Sequence, residues 1–154
     1  MKLREEVVRQ KVDAYLETRC QSTSLHRILA ANVRQAYDQT SFQGKSAELV
    51  SFNVGALDLG CYLSLLDGEA VATLKLISMG LSNEHLAPVL EWVGRKRVER
   101  LVLTCNRLSD ECLIVLLGRA LPDLKEIYLG RNRINKFRMK EHILALRSKF
   151  ILYL

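Results

Sequence analysis

The feature that most constrains this chain is an apolar frame that recurs in phase along its second half. Val98, Leu101, Leu103 and Leu108 define the frame, and Asn106 stands between the last two leucines. Leu124, Ile127, Leu129, Asn132 and Ile134 repeat it 26 residues later. Val71, Leu74, Leu76 and Leu81 anticipate it 27 residues earlier, with Met79 at the Asn position. A weaker fourth copy is read at Leu49, Phe52, Val54, Leu57 and Leu59, 22 residues before that, with Leu57 in place of Asn. One such match carries little weight, whereas three in phase indicate an array of similar units.

The pattern has a physical reading. Two apolar residues separated by one position point to the same side of a short strand, into the core. An Asn just beyond them can bond the backbone groups left unpaired where the chain turns. No single unit buries its apolar side alone, so neighbouring units must stack. The segments between the strands read as helices. Ser82-Asn83 caps one from Glu84 to about Val93. Ser109 caps another that starts at Asp110-Glu111, whose acids suit its positive end, and runs to Leu121, where Pro122 stops it. Residues 139–149 form the last helix, and 150–154 a final strand.

This frame resembles the leucine-rich repeat family over residues 49–154. Its period and helical linkers are most similar to the ribonuclease-inhibitor type. The resemblance implies an α/β fold: a short solenoid with a curved parallel sheet on one face and helices on the convex side. It also implies a protein-interaction scaffold or adaptor rather than an enzyme. Leu57 and Met79 depart from the family pattern, which puts an ordered Asn ladder in doubt in the first two units.

The register then places specific side chains on the concave face. Residues flanking the inward pair are Ser51 and Asn53, Thr73 and Lys75, Arg100 and Val102, Glu126 and Tyr128. The following turns add Ile77 and Ser78, Thr104 and Cys105, Gly130 and Arg131. The candidate partner site is Lys75, Ile77, Arg100, Val102, Thr104, Glu126, Tyr128 and Arg131. Aromatic and Arg side chains beside aliphatics are what protein-binding surfaces favour.

Residues 1–48 read as a helical cap over the first unit. Leu3, Val7, Val8, Val12, Tyr15 and Leu16 recur at helical spacing up to about Arg19. A break at 21–24 follows, with Ser24 as N-cap. A second amphipathic helix runs from Leu25 to about Tyr37, with Leu25, Ile28, Leu29, Val33 and Ala36 inward. Residues 38–45 read as a polar loop.

Charge narrows the partner. The net charge is +6. Residues 1–70 carry a net −1 and residues 71–154 a net +7. The basic residues form two candidate patches: Arg95, Lys96 and Arg97 in a loop entering a strand, and Arg133, Lys136, Arg138 and Lys140 after the last full unit. Such patches suit a protein with an acidic surface. The second reading is an accessory protein of a ribonucleoprotein that contacts RNA. Cys20, Cys61, Cys105 and Cys112 form no C-x-x-C pair and lie at no zinc-ligand spacing, and His26, His85 and His142 fall on separate segments. No cofactor, metal or catalytic set is therefore expected. Reduced thiols, a charged N-terminus and the absence of a long apolar run suggest a cytoplasmic protein, free or in a cytoskeletal assembly, with a mitochondrial site also open and no membrane contact.

The final strand ends the array without a polar cap. Phe150, Ile151 and Tyr153 are expected to form an exposed edge that a partner or a second copy covers.

Overall fold

A computed structural model of the chain describes residues 2–19 and 23–154. The described residues form a mixed α/β fold. Its elements are α1 (Glu5–Glu17), α2 (Thr23–Gln39), β1 (Ser41–Gln43), β2 (Ser46–Val50), α3 (Leu59–Leu65), β3 (Thr73–Ile77), α4 (Asn83–Lys96), β4 (Arg100–Val102), α5 (Glu111–Leu117), β5 (Glu126–Tyr128), α6 (Lys140–Arg147) and β6 (Ile151–Tyr153). The six strands lie in one sheet in sequence order. β1 and β2 pair antiparallel, and every later pair is parallel.

The inward rows match from strand to strand. Ala47, Leu74, Leu101, Ile127 and Leu152 are register partners across β2 to β6, and Leu49 faces Leu76. All of these are buried, most of them completely. The second apolar position continues just past the short strands in Leu103 and Leu129, also buried.

This register corrects the first unit. Ala47 and Leu49, not Phe52 and Val54, fill the inward strand positions. The spacing from Ala47 to Leu74 is 27 residues, the same as from Leu74 to Leu101. The expected boundary at 48/49 therefore falls inside β2. The polar loop expected at 38–45 contains the end of α2 and the edge strand β1.

One left-handed residue recurs per unit. Ser51, Ser78, Cys105 and Arg131 all have φ between 54° and 59°. Each follows its strand at the same place, and the amides of the first three bond the carbonyls of Ile77, Thr104 and Gly130 on the next unit. The chain turns sharply off the strand here, in a conformation that β-carbon-bearing residues otherwise avoid.

Asn106 and Asn132 secure the turns that follow. Asn106 Oδ1 accepts from the amides of Met79 (2.9 Å) and Leu81 (3.1 Å). Its Nδ2 donates to the carbonyls of Leu76 (2.9 Å) and Leu103 (3.0 Å). Asn132 does the same one unit on, accepting from Leu108 N and donating to Leu103 O and Leu129 O. Each Asn thus serves the preceding unit as well as its own. That is why the unit with Met79 in place of Asn still has an ordered turn.

The helices depart from expectation at several ends. α3 begins at Leu59, the residue that closes the frame read as the fourth copy. Asp58 caps it by accepting from Cys61 N (2.8 Å), and Leu59, Cys61, Tyr62, Leu63 and Leu65 are buried all round it. α5 ends at Leu117, four residues short of Leu121, and its cap position is Asp110 rather than Ser109. α6 covers 140–147 rather than 139–149. Ser82 does cap α4: its amide donates to Nδ1 of His85 at 3.0 Å.

α1 and α2 pack beside α3 at one end of the fold. Val8, Val12 and Leu16 from α1 and Ala30, Val33, Ala36 and Tyr37 from α2 enter the common core. A β-carbon at Gly60 would run into the Tyr15 hydroxyl, so glycine lets α1 approach α3 closely. Leu25 and Ile28, expected inward, are exposed. The break expected at 21–24 lies partly outside the described residues, and Ser24 is inside α2. Cys20 also lies outside them.

Candidate functional site

Alternation along the strands turns one row of side chains away from the core, onto an open face of the sheet. Thr73, Lys75 and Ile77 leave β3 on this side, Arg100 and Val102 leave β4, and Glu126 and Tyr128 leave β5. Six of the eight residues expected at the partner site thus share this face: Lys75, Ile77, Arg100, Val102, Glu126 and Tyr128. Thr104 and Arg131 stand in the turns beyond the strands.

Ser51 and Asn53 do not belong to this face. Ser51 is the left-handed turn residue, and Asn53 Oδ1 accepts from Gly55 N (3.0 Å) at the start of a short 3-10 turn. Ser46, Glu48 and Val50 take their place. The 27-residue spacing carried back by one unit identifies them. Ile151 and Tyr153 extend the same face on β6, in register with Glu126 and Tyr128.

The face is organised by contacts between neighbouring strands. Glu48 pairs with Lys75 at 3.1 Å, and Glu126 with Arg100 at 2.7 Å. Tyr128 donates its hydroxyl to the same Glu126 oxygen at 2.9 Å. Its ring stacks on Tyr153, with centroids 4.2 Å apart and planes 11° from parallel. The bond from Arg100, then that from Tyr128, holds the Glu126 carboxyl below its usual range. Donating to Glu126 is in turn the main reason the Tyr128 hydroxyl is pushed up to about 12. Half-exposed pairs of this kind add little to stability. Their effect is to hold side chains in place and to cancel the charges of Lys75 and Arg100.

The positive charge therefore sits elsewhere, and in two separate places. Arg95 and Lys96 are the last residues of α4, and Arg97 is its left-handed cap, so these three form a helix end rather than a loop. Cations there suit the helix dipole. Arg95 also pairs with Asp67 at 3.3 Å, and Trp92 Nε1 donates to that carboxylate at 2.9 Å. This cluster lies where the parallel strands begin.

The second cluster lies where the strands end. Arg133, Lys136 and Arg138 follow β5, and Lys140 opens α6. Arg138 is bound to Asp110 through Nε (2.8 Å) and Nη2. The Asn135 amide also donates to Asp110, at 2.7 Å. These bonds, the amide foremost, lower the Asp110 carboxyl from its usual range. Phe137, between Lys136 and Arg138, is 93% exposed. Phe150, expected on the C-terminal edge, is buried under α6 with its amide bonded to Leu146 O (2.9 Å), whereas Ile151 and Tyr153 are exposed.

Of the groups weighed for chemistry, His26 lies 3.3 Å from Asp13, His85 is occupied in the α4 cap, and His142 is on α6. No three His, Cys, Asp or Glu side chains among the described residues are arranged to hold a metal ion. No helix among them is long and apolar enough to cross a membrane. Compared with known proteins, the chain matches no family model and no curated sequence.

Burial, followed by the neighbouring carboxylates Asp58 and Asp110, pushes the thiols of Cys61 and Cys112 up to about 12. A thiol reacts as its thiolate and only where reagent can reach it. At pH ~8 both should resist a disulfide reagent in the folded chain and react only as it unfolds. Peptide mapping after brief labelling checks this. Prompt modification of either thiol in the native protein would mean that α3 or α5 does not pack against the core as described.

Proposed function

We propose that this chain is a short solenoid of the leucine-rich-repeat, ribonuclease-inhibitor-like type that works as a non-catalytic protein-interaction adaptor. In this reading it is a subunit of a larger assembly in the cytosol or on the cytoskeleton. The 27- and 26-residue recurrence, the left-handed residue at one place in each unit and the shared Asn turns support the fold assignment.

The stacked pair of Tyr128 and Tyr153 on the open face carries the functional reading. Two aromatic rings locked against each other lose little freedom when a partner binds, so most of the contact energy remains available for affinity. Val102 and Ile77 extend this surface with aliphatic side chains, and the Arg100–Glu126 pair borders it with charges already satisfied. An aromatic and aliphatic centre with paired charges beside it matches the anatomy of interaction sites.

The test combines Tyr128→Ala with Arg100→Glu. Together they remove the stack and set two carboxylates against each other. Circular dichroism should be unchanged, while recovery of bound protein from a cell extract should fall about tenfold or more, as for loss of a central aromatic anchor. Equal recovery by parent and variant would reject the open face as the binding site.

The accessory role in a ribonucleoprotein is favoured by one observation, the concentration of basic residues after β5. It requires RNA affinity that falls steeply with salt. Absence of RNA binding at low salt removes it.

A further inference from the structure

We infer that the open face takes an acidic segment of a partner protein in one orientation, with its carboxylates over Arg107, Arg131 and Arg133, where the strands end, and its apolar side chains on Ile77, Val102 and Tyr128. This rests on the adaptor reading above and adds the chemistry of the partner and the end of the face at which that chemistry is read.

The repeat builds the rim. The left-handed residue after each strand is Ser51, Ser78, Cys105 and Arg131 in turn. Two positions further on, the same spacing gives Gly80, Arg107 and Arg133. The earlier units thus leave this rim uncharged, and the later ones put three arginines on it, all exposed. Arg107 stands between the buried Asn106 and Leu108, and its own side chain is turned out to solvent. Its amide donates to Leu81 O, and that of Arg133 to Leu108 O, each at 2.8 Å. A backbone fixed in this way holds the two side chains at the same place in successive units, so less order is lost when they bind. The planar fork of a guanidinium matches a carboxylate.

What the rim lacks is countercharge. The cations among the strands have it: Lys75 pairs with Glu48, and Arg100 with Glu126. No carboxylate of the described residues pairs with Arg107, Arg131 or Arg133. The acids that open the adjoining helices are engaged otherwise. Asp110 holds Arg138, Glu84 accepts from the Ser82 hydroxyl at 3.2 Å, and Glu111 lies 3.4 Å from the Asn83 amide. The basic cluster at the opposite rim is used within the fold, Arg95 on Asp67, Lys96 on the Asp67 carbonyl and Arg97 as the α4 cap. A partner on this face therefore meets neutral contact at the centre and positive charge along the rim where the strands end.

That distribution selects the occupant, because complementary charge steers a partner and fixes how it lies. A second copy of the chain brings no run of acids longer than the pairs Glu5-Glu6 and Asp110-Glu111, and it carries the same net +6. A nucleic acid would engage the arginines but has no apolar side chains for Ile77 and Val102. A protein segment with apolar residues beside several Asp or Glu satisfies both.

The probe is a fluorescent peptide of five largely apolar residues, which reach about 16 Å when extended and so cross β3 to β5, joined to four Glu. It is made in both chain directions, with a photo-crosslinker at the acidic end. The better of the two should bind the full chain in a salt-sensitive manner. Crosslinks should fall at residues 105–107 and 131–133. Changing Arg107, Arg131 and Arg133 together to Gln should weaken binding at least about tenfold, and to Glu more. Each single Gln variant should weaken it about two- to threefold, which covers the case of a triple variant that does not fold. Arg9→Glu, Lys11→Glu and Arg27→Glu together make the same change in net charge as the triple Glu variant and should leave binding intact. The inference is overturned by no binding of either peptide up to about 1 mM, by equal binding of a peptide with Gln for Glu, by undiminished binding to the Gln variants, by tighter binding of an oligonucleotide of equal charge, or by crosslinks confined to residues 95–99. The adaptor reading fails separately, if Tyr128→Ala with Arg100→Glu leaves partner recovery from an extract intact; the inference fails alone if that variant loses the partner and the peptide while the arginine variants keep both.

Discussion

Replacing Asn106 with Ala should lower the stability of the chain by about 3–5 kcal/mol, more than any other single polar substitution in it. The side chain is only 7% exposed. Its oxygen is the acceptor for two backbone amides, those of Met79 and Leu81, in the preceding unit. Its amide group serves the carbonyls of Leu76, Leu103 and Thr104. Truncation leaves two buried N–H groups with no acceptor, at about 1–3 kcal/mol each. Asn106→Asp should be comparably harmful, because it keeps the acceptor but sets a carboxylate against the carbonyls that the amide now reaches. Asn132→Ala should cost less. That residue is partly exposed, and its oxygen accepts one backbone bond, from Leu108. Urea unfolding of the three variants checks the order. A loss of under ~1 kcal/mol for Asn106→Ala would mean that water replaces the amide and that the turn does not depend on it.

Asn106 also marks the boundary of what could be read from the sequence. Where Asn is present the register of the strand before it was legible, because amide and apolar pair constrain the same few residues from two directions. In the first unit it is absent and the apolar spacing allowed two registers; the second unit lacks it too, but there Leu74 and Leu76 are both large and mark the strand by themselves. Leu49, Phe52 and Val54 imitate the frame, and the true inward residues include Ala47, whose small side chain gives little signal. The consequence was a five-residue slip that put Ser51 and Asn53 on the binding face in place of Ser46, Glu48 and Val50. The left-handed turns would have corrected it, but Ser, Cys and Arg do not announce a positive φ as Gly does.

Other misses have equally specific causes. α3 buries five of its seven residues, so its sequence shows no clear amphipathic period to mark it as a helix. β1 carries one apolar residue among polar ones, and its strand geometry comes from pairing with β2. Leu25 and Ile28 fit a helical stripe, but α2 is longer than that stripe and turns its first residues outward. On the open face the sequence showed Lys75 and Arg100 as cations. The 26-residue spacing already sets Glu126 beside Arg100, whereas Glu48 beside Lys75 emerges only from the corrected register of the first unit.

Leu103→Ala should destabilise the chain by about 2–5 kcal/mol, the range for a buried leucine whose cavity cannot fully close. Leu103 is completely buried. It lies just past β4, with its amide bonded to Tyr128 O at 2.8 Å. Its carbonyl accepts from both Asn106 and Asn132, at 3.0 and 2.9 Å. Strands on both sides hold this backbone, so the structure has little room to collapse into the void. Val102→Thr, one residue earlier but on the open face, should stay within about 0.5 kcal/mol. That contrast between adjacent positions tests the direction in which the strand faces; reversal of the two effects would shift the register by one residue and turn every inward side chain outward. The double variant Leu103→Ala with Asn106→Ala tests the link between core and turn. If the leucine side chain fixes the carbonyl that the Asn amide uses, the combined loss should fall short of the sum by about 0.5–3 kcal/mol. Strict additivity would show that packing and turn bonding act independently, and that the Asn stabilises its unit without help from the leucine frame beside it.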